Sequence, residues 1–439
     1  MFDQRLAKFL SNRGGSQSWG QSPEFIQACR QGCQLGVPPL TTEYACILDC
    51  NASCPTCSYR RPQLTKCKGV VPIGQIATSN DRTSGSISIA KMVIERSYEA
   101  GVRGMLYTGG GEPTIFQGLV ESLRYSSSLR MTNGLYTNGF AFGYDPDLPR
   151  QIMDMRCGLA LVRISVNAIS GPAVKRHWGL KNPDDIDLQL NGVVNLIAAR
   201  EELAETSPQS PLPSIQISTI VDRHNVSDLA LICETIADIF KKTRITKGAE
   251  DVMIVRPTTV YGRKSFSSHD HTAEVIQQIL QICQKNIPGN GHDRLAQAGV
   301  PLFLGFGLNT LQMGGPETYD NIIEKEYRQR NVSLSNGVFL TVGPDANVYI
   351  STEYNCGPDS TAIGNLKQQS VKEIYWGDKR RQQLEFMNSH RWGPEVSQPT
   401  PRTARLDRIA TAIHSGALTD NDIQEIGLLS LNSHQLLLD

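Results

Sequence analysis

The sequence predicts an α/β fold on a parallel sheet, followed by a small C-terminal β-hairpin and helix module. Three observations carry the prediction. Short apolar runs alternate with amphipathic segments six times between residues 42 and 257. Those runs are continuously apolar, as parallel strands covered on both faces require. Farther on, two strand-like runs flank Gly343-Pro344-Asp345, the residue types of a tight turn, and a short helical pattern follows them.

The elements follow in order. YACILD (44–49), GMLYT (104–108), GLYTN (134–138), LALVRISVN (159–167), IQISTIV (215–221) and VMIVRP (252–257) read as strands. Between the first two, SIAKMVIERSYEAG reads as a helix with Ser88 as its N-cap and Gly101 as its stop. Phe116, Leu119, Val120 and Leu123 keep the i, i+3, i+4, i+7 spacing of a second helix. Six β/α units give a sheet with right-handed crossovers, barrel-like or doubly wound, and either form binds ligands at the C-terminal ends of its strands. ETSPQSPLPS (205–214) and PEVSQPTPRT (394–403) read as linkers, and helices are expected near 404–415 and 420–430.

Composition narrows the function classes. Lys plus Arg and Asp plus Glu each number 43 in 439 residues, so charge gives no argument for a nucleic-acid or membrane partner. The N-terminus lacks the apolar core of a signal peptide, and nowhere do eighteen apolar residues run together, so a soluble, cytoplasmic protein is expected. Eight histidines show no metal-ligand spacing.

Eleven cysteines are the distinctive feature, and CILDCNASCPTCSYRRP (46–62) holds four of them, with Cys67 nearby. In a long chain without a secretory signal such a cluster points to a metal rather than disulfides. Cys157, Cys233 and Cys283 sit in apolar or helical contexts and read as buried thiols, while Cys29 and Cys33, four apart on an expected helix, read as packing or a weak metal pair, with packing favoured. Cys46 falls inside the first strand, where a core thiol is expected. Cys50, Cys54 and Cys57 then lie in the loop leaving that strand, on the ligand-binding face. Three thiolates in CxxxCxxC suit a 4Fe-4S cluster with one open iron; a closed zinc site needs a fourth ligand, which only Cys46 would provide.

At this point the sequence resembles the radical S-adenosylmethionine superfamily, whose defining motif is a CxxxCxxC loop after the first strand. Thr56 stands where that family usually has an aromatic residue. TGGGEPTIF follows the second strand, and its Gly110, Gly111, Glu112 and Pro113 match the family's GGEP element, which binds the methionine amino group of the cofactor. Thr137-Asn138-Gly139 after the third strand, and Ser165 and Asn167 closing the fourth, match positions of further cofactor contacts. Arg163 and Arg256 are candidates for bidentate carboxylate binding. The resemblance covers residues 41 to 257 and selects the partial (β/α)6 barrel of the radical S-adenosylmethionine type. It implies one 4Fe-4S cluster, S-adenosylmethionine, an external one-electron reductant and a 5′-deoxyadenosyl radical that abstracts an unactivated hydrogen.

NGVFLTVGPDANVYISTEYNCGPDSTAIGNLKQQSVKEIYW resembles the SPASM or twitch module of peptide-modifying radical enzymes, with one cysteine, Cys356, in place of several. One thiolate cannot hold an auxiliary cluster, but a thiol can return a hydrogen atom to a carbon radical. The combination resembles the proteusin-type radical peptide epimerases, which convert L- to D-residues in ribosomally made, leader-bearing precursor peptides. The resemblance implies Cα hydrogen abstraction from one face and return from Cys356 on the other. Two alternatives stand beside it, a radical maturase that crosslinks or excises a residue, and a zinc-binding interaction protein. The expected organisation is an N-terminal extension (1–40), the partial barrel (41–262), a connecting region (263–330), a SPASM/twitch-like module without an auxiliary cluster (331–392), and a C-terminal linker and helical tail (393–439).

Overall fold

The computed structural model describes residues 39, 41–55, 57, 71–74, 85–180, 182–245, 250–257, 273–285, 287–304, 339–350, 362–389 and 416–417. The expected tail helices, the 394–403 linker and Cys29, Cys33, Cys67 and Cys356 lie outside these residues.

Seven parallel strands form the main sheet: β1 (Thr41–Tyr44), β2 (Gly104–Tyr107), β3 (Thr132–Thr137), β4 (Leu159–Ser165), β5 (Ser214–Val221), β6 (Val252–Pro257) and β7 (Leu302–Leu304). The C-terminal module adds β8 (Phe339–Val342), β9 (Asn347–Tyr349) and β10 (Gly364–Asn365). Among the described residues the order is linear, β10-β9-β8-β1-β2-β3-β4-β5-β6-β7. This is a partial barrel, open between β7 and β10. The expected hairpin is present, with Gly343 N–H donating to Asn347 O at 2.9 Å and Ala346 N–H to Gly343 O at 3.1 Å. Its first strand runs parallel to β1, so the module continues the barrel sheet.

Helices cover one face. The first is α1 (Ile87–Glu99), followed by α2 (Leu119–Ser128), α3 (Phe140–Tyr144), α4 (Asp147–Met153), α5 (Gly171–Trp178), α6 (Ile186–Thr206) and α7 (Val226–Thr243). After them come α8 (Ala273–Cys283), α9 (Gly291–Gln297), α10 (Val371–Tyr375) and α11 (Asp378–Ser389). Alternation along each strand divides the sheet. Met105, Leu135, Val162, Ile217 and Val255 pack with helix residues such as Val93, Leu123 and Val193 in the main core. Leu106, Leu161 and Tyr136 cluster on the opposite, concave face.

Several sequence expectations shift. The first strand is Thr41–Tyr44 and not 44–49, because past Tyr44 the chain turns to meet the β2 loop and leaves regular pairing. Cys46 therefore lies beyond the strand, although it is buried as a core thiol. The N-cap of α1 is Ser86 and not Ser88: the Ser86 hydroxyl accepts from Ile89 N–H, while Ser88 sits inside the helix. Gly101 ends the helix with φ +91°, which favours glycine. Phe116 precedes α2, and the 205–214 linker shortens to 207–213 between α6 and β5. Cys157, Cys233 and Cys283 are buried, and burial pushes all three thiols up. Among the described residues no helix is long and apolar enough to cross a membrane.

Candidate active site at the strand ends

The loop that leaves β1 is pinned from several sides. Gly85 N–H donates to Cys46 O at 2.9 Å, Val71 N–H to Cys50 O at 3.0 Å, and Ser53 N–H to the Trp178 carbonyl at 2.8 Å. From β2, Gly111 N–H reaches Ile47 O and Glu112 N–H reaches Asp49 O, each at 2.9 Å. The glycine-rich turn thus lies directly on the cysteine loop. Glycine is required there: a Cβ on Gly111 would sit 1.9 Å from the Asp49 carbonyl oxygen, and Gly110 has φ +64°.

Cys50 is buried and Cys54 and Cys57 are half-buried, with Cys57 N–H turning back to Cys54 O at 3.2 Å. Among the described residues no three His, Cys, Asp or Glu side chains gather as the ligands of one metal ion. A 4Fe-4S cluster does not need such convergence, since each thiolate binds its own iron. A four-cysteine zinc site does need it, and it would need Cys46 as a thiolate. Burial, and then the charge of Glu112, pushes the Cys46 thiol well up. Cys50, Cys54 and Cys57 supply the three thiolates that a 4Fe-4S cluster with one open iron would take.

The Glu112 carboxylate ties the turn to the end of β3. Its Oε1 accepts from Thr114 N–H at 3.0 Å and from the hydroxyls of Thr114 and Thr137 at 2.6 Å, and its Oε2 accepts from Asn138 N–H at 2.8 Å. Burial raises its pKa while these donors act to lower it. Pro113 opens a short 3₁₀ turn behind it. Asn138 Nδ2 donates to Asn51 Oδ1 at 2.6 Å and lies 3.8 Å from Cys50 Sγ. These contacts bring Gly110 to Pro113, Asn138 and Cys50 together in one place.

Ser165 and Asn167 belong to the next strand end. The Ser165 carbonyl accepts from Gln189 Nε2 at 2.9 Å. The Asn167 side chain accepts from Ile220 N–H at 3.0 Å, so its oxygen serves the end of β5. Arg163 is buried on the concave face, stacked 4.1 Å over the Tyr136 ring and donating to Gln216 Oε1 at 2.9 Å. Arg256 donates to Ser218 Oγ at 2.8 Å. Cys356 and Thr56 lie outside the described residues.

Three residues at this end escape a motif reading. Asn51 adjoins Cys50 yet matches no motif element used above. Gln189 bridges two strand ends, donating to Asn138 O at 2.5 Å as well as to Ser165 O. Its signal in the sequence is a polar residue on the buried stripe that continues through Val193 and Leu196, at helical spacing. Asp222, directly after β5, faces His177 Nε2 at 3.4 Å, both buried.

A scan against protein-family models finds no match, and a search of curated protein sequences finds none. Among solved structures, Streptococcus suis SuiB bound to its precursor peptide SuiA matches with a TM-score of 0.50 at 12% identity, over 83% of this chain and 70% of that chain. The chain shares the fold of SuiB. A second SuiB structure, bound to S-adenosylmethionine, matches with a TM-score of 0.50 at 13% identity, over 79% of this chain and 67% of that chain.

Proposed function

We propose that this chain is a radical S-adenosylmethionine enzyme that modifies a ribosomally made precursor peptide, and that its reaction is epimerisation of L- to D-residues. One observation carries the reading: the CxxxCxxC loop and the GGEP turn are interlocked backbone to backbone at the C-terminal ends of adjacent parallel strands. The SuiB structures support it from the side of ligands, since that fold holds S-adenosylmethionine in one and a precursor peptide in the other.

Cys50, Cys54 and Cys57 would hold the 4Fe-4S cluster. Gly110 to Pro113 would present backbone groups to the cofactor's methionine amino group, with Glu112 fixing the turn rather than reaching out. When bound, cluster and cofactor supply a deoxyadenosyl radical for hydrogen abstraction, given an external one-electron reductant. Glu112, Thr137 and Asn138 at these strand ends are buried, which would limit the access of water to that space. Cys356 would return a hydrogen atom to Cα from the opposite face. The five-part domain organisation, with residues 331–392 as a module without an auxiliary cluster, belongs to the same proposal, as does a cytoplasmic location.

The test is anaerobic incubation of a candidate precursor with S-adenosylmethionine and reductant in heavy water, followed by mass spectrometry. Epimerisation leaves deuterium at Cα with no other change. Loss of hydrogens or of a fragment replaces it with the crosslinking or excising reading. Replacing Cys50, Cys54 or Cys57 with Ala should abolish formation of 5′-deoxyadenosine, and retained cleavage in any of them rules the cluster assignment out. Cys356→Ala should still form 5′-deoxyadenosine yet deliver no D-residues; full D-product would remove its donor role.

A further inference from the structure

We infer that Asn51 and Asn138 form a paired set of amide donors that raises the reduction potential of a cluster bound by Cys50. The inference rests on the cluster assignment above and adds the residues that tune it.

The orientation of both amides follows from one backbone donor. Phe140 N–H donates to Asn138 Oδ1 at 3.2 Å, which leaves Nδ2 as the Asn138 donor. That Nδ2 serves Asn51 Oδ1 at 2.6 Å and stands 3.8 Å from the Cys50 sulfur. With its oxygen so engaged, Asn51 must turn its own Nδ2 away from Asn138. Among the described residues this Nδ2 is buried and finds no acceptor, and Asn51 as a whole is only 3% exposed.

A buried N–H without an acceptor costs about 1–3 kcal/mol, so it is retained where something outside the polypeptide accepts from it. Its position directly after Cys50 makes a cluster sulfur that acceptor. Ala52 N–H approaches the same sulfur at 3.4 Å, so with Asn138 Nδ2 two N–H groups gather about this ligand. Gln189 holds Asn138 from behind through its carbonyl at 2.5 Å, which fixes the second amide where the first needs it.

Reduction adds one negative charge to a cluster, and N–H groups directed at its sulfurs stabilise that charge, raising the potential. Asn51 and Asn138 therefore make the cluster easier to reduce, while Gln189 is a positioning residue for them.

The experiment measures the midpoint potential of the reconstituted protein without cofactor or peptide, by electron paramagnetic resonance at poised potentials, with iron and sulfide content assayed. Asn51→Leu and Asn138→Leu should each shift the potential negative. The double variant should move little beyond the larger single shift, because the two amides act as one unit. Unchanged potentials in loaded single variants overturn the inference. Where a leucine variant loads no cluster, the less bulky Asn51→Ala and Asn138→Ala are read by the same criterion. A wild-type protein that assembles no 4Fe-4S cluster sinks the functional reading itself, whereas a loaded wild type with unmoved variants sinks only this inference.

Discussion

Gly111 shows how little room a single position has. Any side chain there would drive its Cβ to 1.9 Å from the Asp49 carbonyl, which is backbone and cannot swing aside. Gly111→Ala should therefore force the turn off the cysteine loop, costing about 3 kcal/mol or more and lowering iron content per folded chain on reconstitution. Thermal unfolding and iron assay check the two halves separately. Asp222 makes a different demand. Burial would raise its carboxyl, but its contact with His177 and the His224 N–H at 2.8 Å outweigh that and hold it at about 2. A folded value below the unfolded one of about 3.9 means that its contribution is complete above pH 4 and is lost as pH falls toward 2. The stability of Asp222→Asn should therefore fall less steeply than the wild type's between pH 5 and pH 2, in denaturant melts taken across that range.

Elements were legible in the sequence to the extent that their signals are local. VMIVRP is a strand over the bounds read from its composition, and the hairpin about Gly343 forms where turn residues interrupt two apolar runs. The first strand was misplaced by three residues because Ala45 to Leu48 are apolar for another reason. They are buried beneath the β2 turn, a contact that composition alone cannot distinguish from a strand. The α1 cap was misplaced for a similar reason, since Ser86 and Ser88 are equal candidates by type and only backbone geometry chooses: Ser86 has extended φ and ψ and accepts from Ile89 N–H. Ser86→Ala should thus cost about 1 kcal/mol in an equilibrium melt, while Ser88→Ala changes stability far less. The cysteine loop and GGEP turn were readable as motifs, yet their interlocking is not a sequence property. Asn51 and Gln189 were missed because their roles depend on partners 87 and 51 residues away.

At the scale of the molecule, the two ends of the barrel divide the work. The C-terminal strand ends carry the cysteines, the glycine turn and Asn138, while the N-terminal ends of β5 and β6 are closed by a buried ionic knot. Arg200 on α6 is fully buried and donates to Asp251 Oδ1 at 2.5 Å and to Glu201 Oε1 at 3.1 Å; the same Asp251 oxygen accepts from Ile215 N–H at 2.8 Å. Arg244 stands 3.7 Å from the other Asp251 oxygen, so α6, α7, β5 and β6 meet at one carboxylate. Removing one member of such a network leaves a charge buried without its partner and costs about 3–5 kcal/mol, more than an exposed pair would. Arg200→Ala should accordingly lower the unfolding free energy by that amount in a denaturant melt. The joint replacement of Arg200 with Met and Asp251 with Leu should cost less than the sum of the two single changes, because neither leaves the other's charge buried without its partner. At a temperature where all variants are folded, iron content per chain and cluster potential should match the wild type, since the knot lies at the end of the strands opposite Cys50. A changed potential in folded Arg200→Ala would mean that the two ends are coupled, and that the N-terminal knot sets the register on which the cysteine loop depends.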